Sequence, residues 1–170
     1  HYCSRRQRQM CIRDRYMVKS GLVDDPNVSQ YRLTAHLGMA VFIYSLILWT
    51  VFDLSLNYNH AIRSRIKWMS STLTLLIFLM ILSGGLVAGT RAGIPFPTWP
   101  LMGDTFIPPQ IYSMNPSWLS AFEDMATIQF NHRMFAYLLT IFIVIFAIVL
   151  LGSNVPRFLK NGTTVLLFVL

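Results

Sequence analysis

The chain has 170 residues, 54% of them hydrophobic and 12% charged, with a mean hydropathy of +0.50. That balance lies well to the apolar side of a soluble domain, so membrane insertion is the first question. The formal charge of +7 would suit a nucleic-acid binder, but five of the fourteen basic residues (Arg5, Arg6, Arg8, Arg13 and Arg15) fall in the opening HYCSRRQRQMCIRDR, and no nucleic-acid partner is expected.

That opening segment, 1–15, shares no apolar pattern with the rest and lacks the apolar core of a signal peptide. It resembles a translated sequencing adapter and is set aside as non-native. Both cysteines, Cys3 and Cys11, lie in it, so no disulfide, zinc or redox argument rests on them.

Three runs, about 33–54, 70–90 and 124–151, reach the ~20 helical residues needed to cross a hydrocarbon core of ~30 Å. A fourth starts at Thr163, and its residues up to Leu170 would rise only ~12 Å as a helix. The expected fold is all-α, a polytopic transmembrane helix bundle over 16–170, with the last span truncated and the chain a fragment of a larger protein.

Lys and Arg accumulate in cytoplasmic or matrix connections. The connection 55–69 carries Arg63, Arg65 and Lys67, and 152–162 carries Arg157 and Lys160, so both are expected inside. The connection 91–123 sets Arg91 against Asp104 and Glu123, and 16–32 balances Lys19 and Arg32 against Asp24 and Asp25, so both are expected outside. This alternation is consistent once the first fifteen residues are set aside. Six of the eight prolines fall in the outer connection, which is therefore expected to be irregular over most of its length. Trp99 and Trp118 lie in that connection, and Trp49 and Trp68 flank the inner side, as interfacial aromatics do.

His36 opens the first span and His132 opens the third. Both spans run from outside to inside, which places the two imidazoles at one depth in the outer half of the membrane. A histidine there suits proton relay or axial ligation of a heme iron. Heme fits the surroundings better, since a porphyrin between helices needs an apolar slot, an inward imidazole and a cation near its propionates, for which Arg133 and Arg91 are the candidates. The alternative is an interfacial histidine bonded to backbone, with each arginine snorkelling to lipid phosphate. Gln129, three residues before His132 and on nearly the same helical face, is a candidate to orient the imidazole or contact a ligand, with an interhelical hydrogen bond as the plainer role. His60 falls in the inner connection and reads as a solvated loop residue, and His1 belongs to the excluded segment. In SGGLVAG, 83–89, Gly85 and Gly89 stand four apart, which favours close helix packing over a flat ligand laid on bare backbone.

YMVKSGL at 16–22, VSQYRLTAHLG at 28–38, GGLVAGTRAG at 84–93, FPTWPLMGDTFIPP at 96–109 and QFNHR at 129–133 occur in that order. Together they resemble heme A synthase, the cytochrome oxidase assembly family, over essentially all of 16–170. The resemblance implies an eight-helix membrane enzyme of two four-helix halves, with these spans as helices four to six and the start of seven. It implies heme b as cofactor and heme O as substrate, whose C8 methyl is oxidised to the formyl group of heme A for cytochrome c oxidase. By resemblance, His132 is an axial ligand of heme b, and His36 belongs to the other half, where the substrate heme is handled. Each then pairs with a histidine outside this chain, so the two do not share one iron, and the fragment alone is expected to be inactive. The implied partners are heme O and heme A, the lipid bilayer, heme O synthase, oxidase assembly factors and a second copy of the protein. The implied location is a bacterial cytoplasmic or mitochondrial inner membrane. The chain departs from many members at Thr90 and Arg91, where they carry Leu-Asp. A cytochrome b-type subunit that only passes electrons is the alternative.

Overall fold

The computed structural model describes residues 29–55 and 64–169. The opening segment 1–15, the YMVKSGL stretch, and the inner connection with His60 and Arg63 lie outside the described residues.

The order of elements is α1 (Gln30–Ser55), α2 (Ser64–Thr90), an irregular connection, a 3-10 turn (Ser117–Leu119), α3 (Ser120–Glu123), α4 (Met125–Leu151) and α5 (Arg157–Val169). The described residues are all helix and loop apart from one isolated bridge, Met102 to Thr105. The helices α1, α2 and α4 are each long and apolar enough to cross a membrane. Their large side chains are widely exposed, as with Phe42, Trp49, Leu75 and Ile148, which is how a helix bundle meets hydrocarbon rather than water. The chain is a membrane protein.

Two boundaries differ from the apolar runs. Helix α2 begins at Ser64 rather than near residue 70, taking in Arg65 and Lys67. Backbone hydrogen bonding continues beyond the unbroken apolar run into a turn where Arg65 and Lys67 alternate with Ile66 and Trp68, and both long side chains stay exposed at the helix end. Helix α5 begins at Arg157 rather than Thr163, because Pro156 starts it: the Pro156 carbonyl accepts from the Leu159 N–H at 3.1 Å and the Lys160 N–H at 3.5 Å. The expected inner connection from 152 to 162 therefore shortens to a few residues.

Helix α2 is the middle of the row, packed on α1 along one side and on α4 along the other, with α5 folded back on α4. The α1 contact is made through glycine. A Cβ built at Gly89 would lie 2.6 Å from the Gln30 Cα, and one at Gly85 would lie 2.9 Å from the Thr34 Oγ1 and 3.2 Å from its Cα. A side chain at Gly89 would collide with backbone, so the close approach requires glycine there. The close-packing reading of SGGLVAG holds.

The α2–α4 contact has a different chemistry along its length. At one end Ile66 and Leu73 of α2 meet Ile143, Phe146 and Leu150 of α4, with Leu159 and Leu166 of α5 closing the cluster. On α4 the spacing from Leu139 through Ile143, Phe146 and Leu150 keeps these residues on one helical face. His132 lies seven residues before Leu139, on the same face.

Candidate functional site

Helix α4 starts where Asp124, in extended conformation, accepts from the Thr127 N–H at 2.8 Å. This is an N-cap. The fully buried Thr127 hydroxyl also donates to Asp124 and accepts from the Tyr112 N–H at 3.1 Å. The Tyr112 hydroxyl donates to Asn131 Oδ1 at 3.1 Å, and the Met114 N–H donates to the buried Ser120 Oγ at 3.1 Å. Two buried hydroxyls, of Thr127 and Ser120, and the more exposed Tyr112–Asn131 bond thus fix the far end of the long connection against α3 and the first two turns of α4.

His132 sits one turn deeper. Its Nδ1 lies 3.0 Å from Ser83 Oγ on α2, and its Cε1 lies 3.6 Å from the place a Cβ on Gly84 would take. The ring is half-buried between α2 and α4. Among the described residues Nε2 has no hydrogen-bond partner. Gln129, the preceding turn, has its Oε1 buried and without a hydrogen-bond partner. Thr34 Oγ1, against Gly85, is in the same condition.

Arg133 points the other way along the helix surface. Its Nη2 donates to the Phe96 carbonyl at 2.8 Å and its Nη1 to the Leu101 carbonyl at 3.1 Å. The guanidinium ties the near part of the irregular connection to the turn that carries His132. Thr98 supports the same segment, its hydroxyl donating to the Leu101 carbonyl at 2.9 Å and accepting from the Gly103 N–H at 3.1 Å. Arg91 terminates α2 in the left-handed region, φ 55°. The Arg91 N–H bonds the Ala88 carbonyl at 3.2 Å and the Ala92 N–H bonds the Val87 carbonyl at 3.1 Å, the two bonds of a Schellman motif. Its side chain is exposed, while Ala92 is fully buried beneath the turn.

His36 is not part of this cluster. Gln30, Thr34 and Gly38 of α1 lie against α2, and His36, two positions from Thr34, falls on the opposite, exposed face. The antiparallel register that sets Thr34 against Gly85 and Gly38 against Leu82 places His36 level with Ser83. The two histidines therefore share a level but not a side. Among the described residues no three His, Cys, Asp or Glu side chains gather as a cage for a free metal ion. Porphyrin iron asks less of a protein, since one imidazole nitrogen can hold it. His132 could supply that nitrogen: its Nδ1 is held, its Nε2 is unclaimed, and a buried amide oxygen stands one turn away.

The sequence pattern of the cytochrome oxidase assembly proteins matches residues 15–170. The chain belongs to the cytochrome oxidase assembly protein family. Within that family, it is 48% identical over 136 residues to the heme A synthase of Nitrosospira multiformis, covering 77% of this chain and 38% of that protein. It is 44% identical over 129 residues to the heme A synthase of Parvibaculum lavamentivorans, covering 76% and 38%. The heme A synthase of Wolbachia pipientis wMel is 38% identical over 136 residues, covering 78% and 39%. The chain thus spans about two fifths of the length of these family members. No solved structure matches it.

Sequence reasoning located His132, Gln129 and the glycine pair. It missed Ser83 as a partner of His132, although the serine opens the quoted SGGLVAG motif, and it missed the capture of Arg133 by the Phe96 and Leu101 carbonyls. The first has a signal, a hydroxyl beside glycines at the depth of a histidine. The second depends on the path of an irregular loop, which no periodicity reports.

Proposed function

We propose that the chain is part of a heme A synthase, in which His132 is an axial ligand of heme b and His36 serves heme handling in the other half of the full-length protein. The observation that carries this reading is the state of His132: Nδ1 is engaged by Ser83 at 3.0 Å while Nε2 has no protein partner among the described residues. That arrangement prepares an imidazole for a metal, since the hydrogen bond at one nitrogen fixes the ring and leaves the lone pair at the other. The names carried by the relatives support the same reading.

When bound, the heme would supply the redox chemistry for oxidising the C8 methyl of heme O to a formyl group. The chain's own residues do the rest. His132 would hold the heme iron through Nε2, its ring lying beside Gly84. The buried Gln129 amide oxygen is placed to accept a hydrogen bond from a bound group. Arg133 gives one hydrogen bond from each of Nη1 and Nη2 to loop carbonyls and so acts on the loop, with N–H groups left over, while Arg91 is exposed; either cation could meet a propionate or a lipid headgroup. Heme O and heme A are the proposed substrate and product, with heme O synthase and oxidase assembly factors as protein partners, a second copy as a further one, and a bacterial cytoplasmic or mitochondrial inner membrane as the location.

The test uses the full-length protein, with the segments that flank these residues. Purified wild type is expected to carry a b-type Soret spectrum and to convert heme O to heme A, and His132→Ala to lose most of that heme. A heme-free wild type, or unchanged heme content in the variant, would overturn the assignment. A heme-bearing protein that leaves heme O unaltered would make it an electron-transfer cytochrome instead.

A further inference from the structure

Ser83 lies on α2, a helix that contributes no histidine among the described residues, yet its Oγ makes the hydrogen bond to the ring of His132. The contact joins two half-buried side chains 49 positions apart in the chain. It stands on the α2–α4 seam just where the apolar packing gives way to Ser83, Gly84 and His132, so the ring has a bare backbone on one side and a single hydroxyl at its nitrogen.

We infer that Ser83 is a positioning residue for heme iron, accepting the Nδ1–H of His132 and thereby holding the imidazole in the tautomer whose Nε2 lone pair faces the metal. The inference rests on the heme-ligand reading of His132 and adds a residue to it. A neutral imidazole carries one proton on two nitrogens, and only the unprotonated one can bind a metal. A hydroxyl can donate or accept, so Ser83 fixes the orientation of the ring; once Nε2 binds a metal the proton stays on Nδ1, and the Ser83 oxygen accepts it and stabilises that tautomer. The hydrogen bond also raises the electron donation of Nε2 to the iron, as partners on the outer nitrogen of ligating histidines do. Gly84, next in the chain, lies beside the ring, where even an added Cβ would meet Cε1 only at an ordinary contact distance of 3.6 Å.

The experiment compares full-length wild type with Ser83→Ala, Ser83→Thr and His132→Ala, measuring heme retention, the midpoint potential of the b heme and its low-temperature EPR spectrum. Ser83→Ala is expected to weaken heme retention by about tenfold, the low end for loss of a hydrogen bond to a metal-ligating histidine. Its potential should move upward and its EPR g-values should change, because a less donating imidazole stabilises the ferric state less. Ser83→Thr keeps a hydroxyl and should return all three toward wild type. A merely structural role would lower the yield of folded protein in both variants and leave the potential and g-values of the surviving heme unchanged, and that result overturns the inference. So would a Ser83→Ala protein with wild-type retention, potential and spectrum. If His132→Ala keeps its heme, the ligand reading itself fails and the inference falls with it.

Discussion

The two ends of the α2–α4 seam are built from the same two helices and differ in what they put between them. At the end near α5 Ile66, Leu73, Ile143, Phe146 and Leu150 interlock, and α5 adds Leu159 and Leu166. At the other end the α4 face presents His132 and the α2 face presents Ser83 and Gly84, with the buried oxygen of Gln129 unsatisfied nearby. Side-chain packing holds membrane helices together, so the end near α5 anchors the pair. At the other end polar groups stand in the seam, joined by the single Ser83–His132 hydrogen bond.

The separation can be broken first at Phe146. Phe146→Ala is expected to cost about 3 kcal/mol, the usual loss for deleting a buried phenyl ring, read as a lower unfolding midpoint in detergent. Heme per folded molecule should stay at the wild-type level. If heme content fell in step with stability, anchoring and binding would not be divided between the two ends.

Arg133 sharpens the contrast within the histidine end. Arg133→Gln removes the donors to the Phe96 and Leu101 carbonyls, and a charge-assisted bond of this kind contributes about 1.5 kcal/mol. Limited proteolysis should then cut within 94–105 roughly tenfold faster, with the heme of His132 retained. Heme loss matching that of His132→Ala would show instead that the guanidinium serves the cofactor directly.

The smallest effect is expected at Arg91, and of opposite sign. A non-glycine residue in the left-handed region costs about 1 kcal/mol, so Arg91→Gly should raise the unfolding midpoint slightly. If the side chain meets a propionate, as proposed, heme affinity should fall while stability rises. A fall in both would place the arginine in the fold alone.

Much of the fold was legible because hydrocarbon imposes long apolar runs, and α1 and α4 follow theirs to within a few residues. The errors share a cause. At Arg65 and Lys67 the apolar signal stops while the helix continues, and at Arg157–Gly162 a polar first stretch hides a helix that Pro156 starts. Charge marks where a chain leaves the bilayer, and backbone hydrogen bonding marks where a helix ends. The site was half legible. His132 shows itself by position and Gly89 by its spacing from Gly85, but the Ser83 contact needs the register of two helices, and the Arg133 contacts need the route of an irregular segment.

That irregular segment is long, yet little of it is free. Closing a loop costs entropy that grows with the logarithm of its length. Tethers at Phe96 and Leu101, and again at Tyr112 and Met114, cut the chain between Ala92 and Ser120 into short arcs. Between tethers the longest stretch runs from 102 to 111, and even there Met102 pairs with Thr105 and Pro108 is buried. Most of the knots are tied to α4 between Thr127 and Arg133, so a single pair of helical turns serves as the mooring for an entire extramembrane surface. Rotating that stretch of helix would swing the surface and the imidazole together.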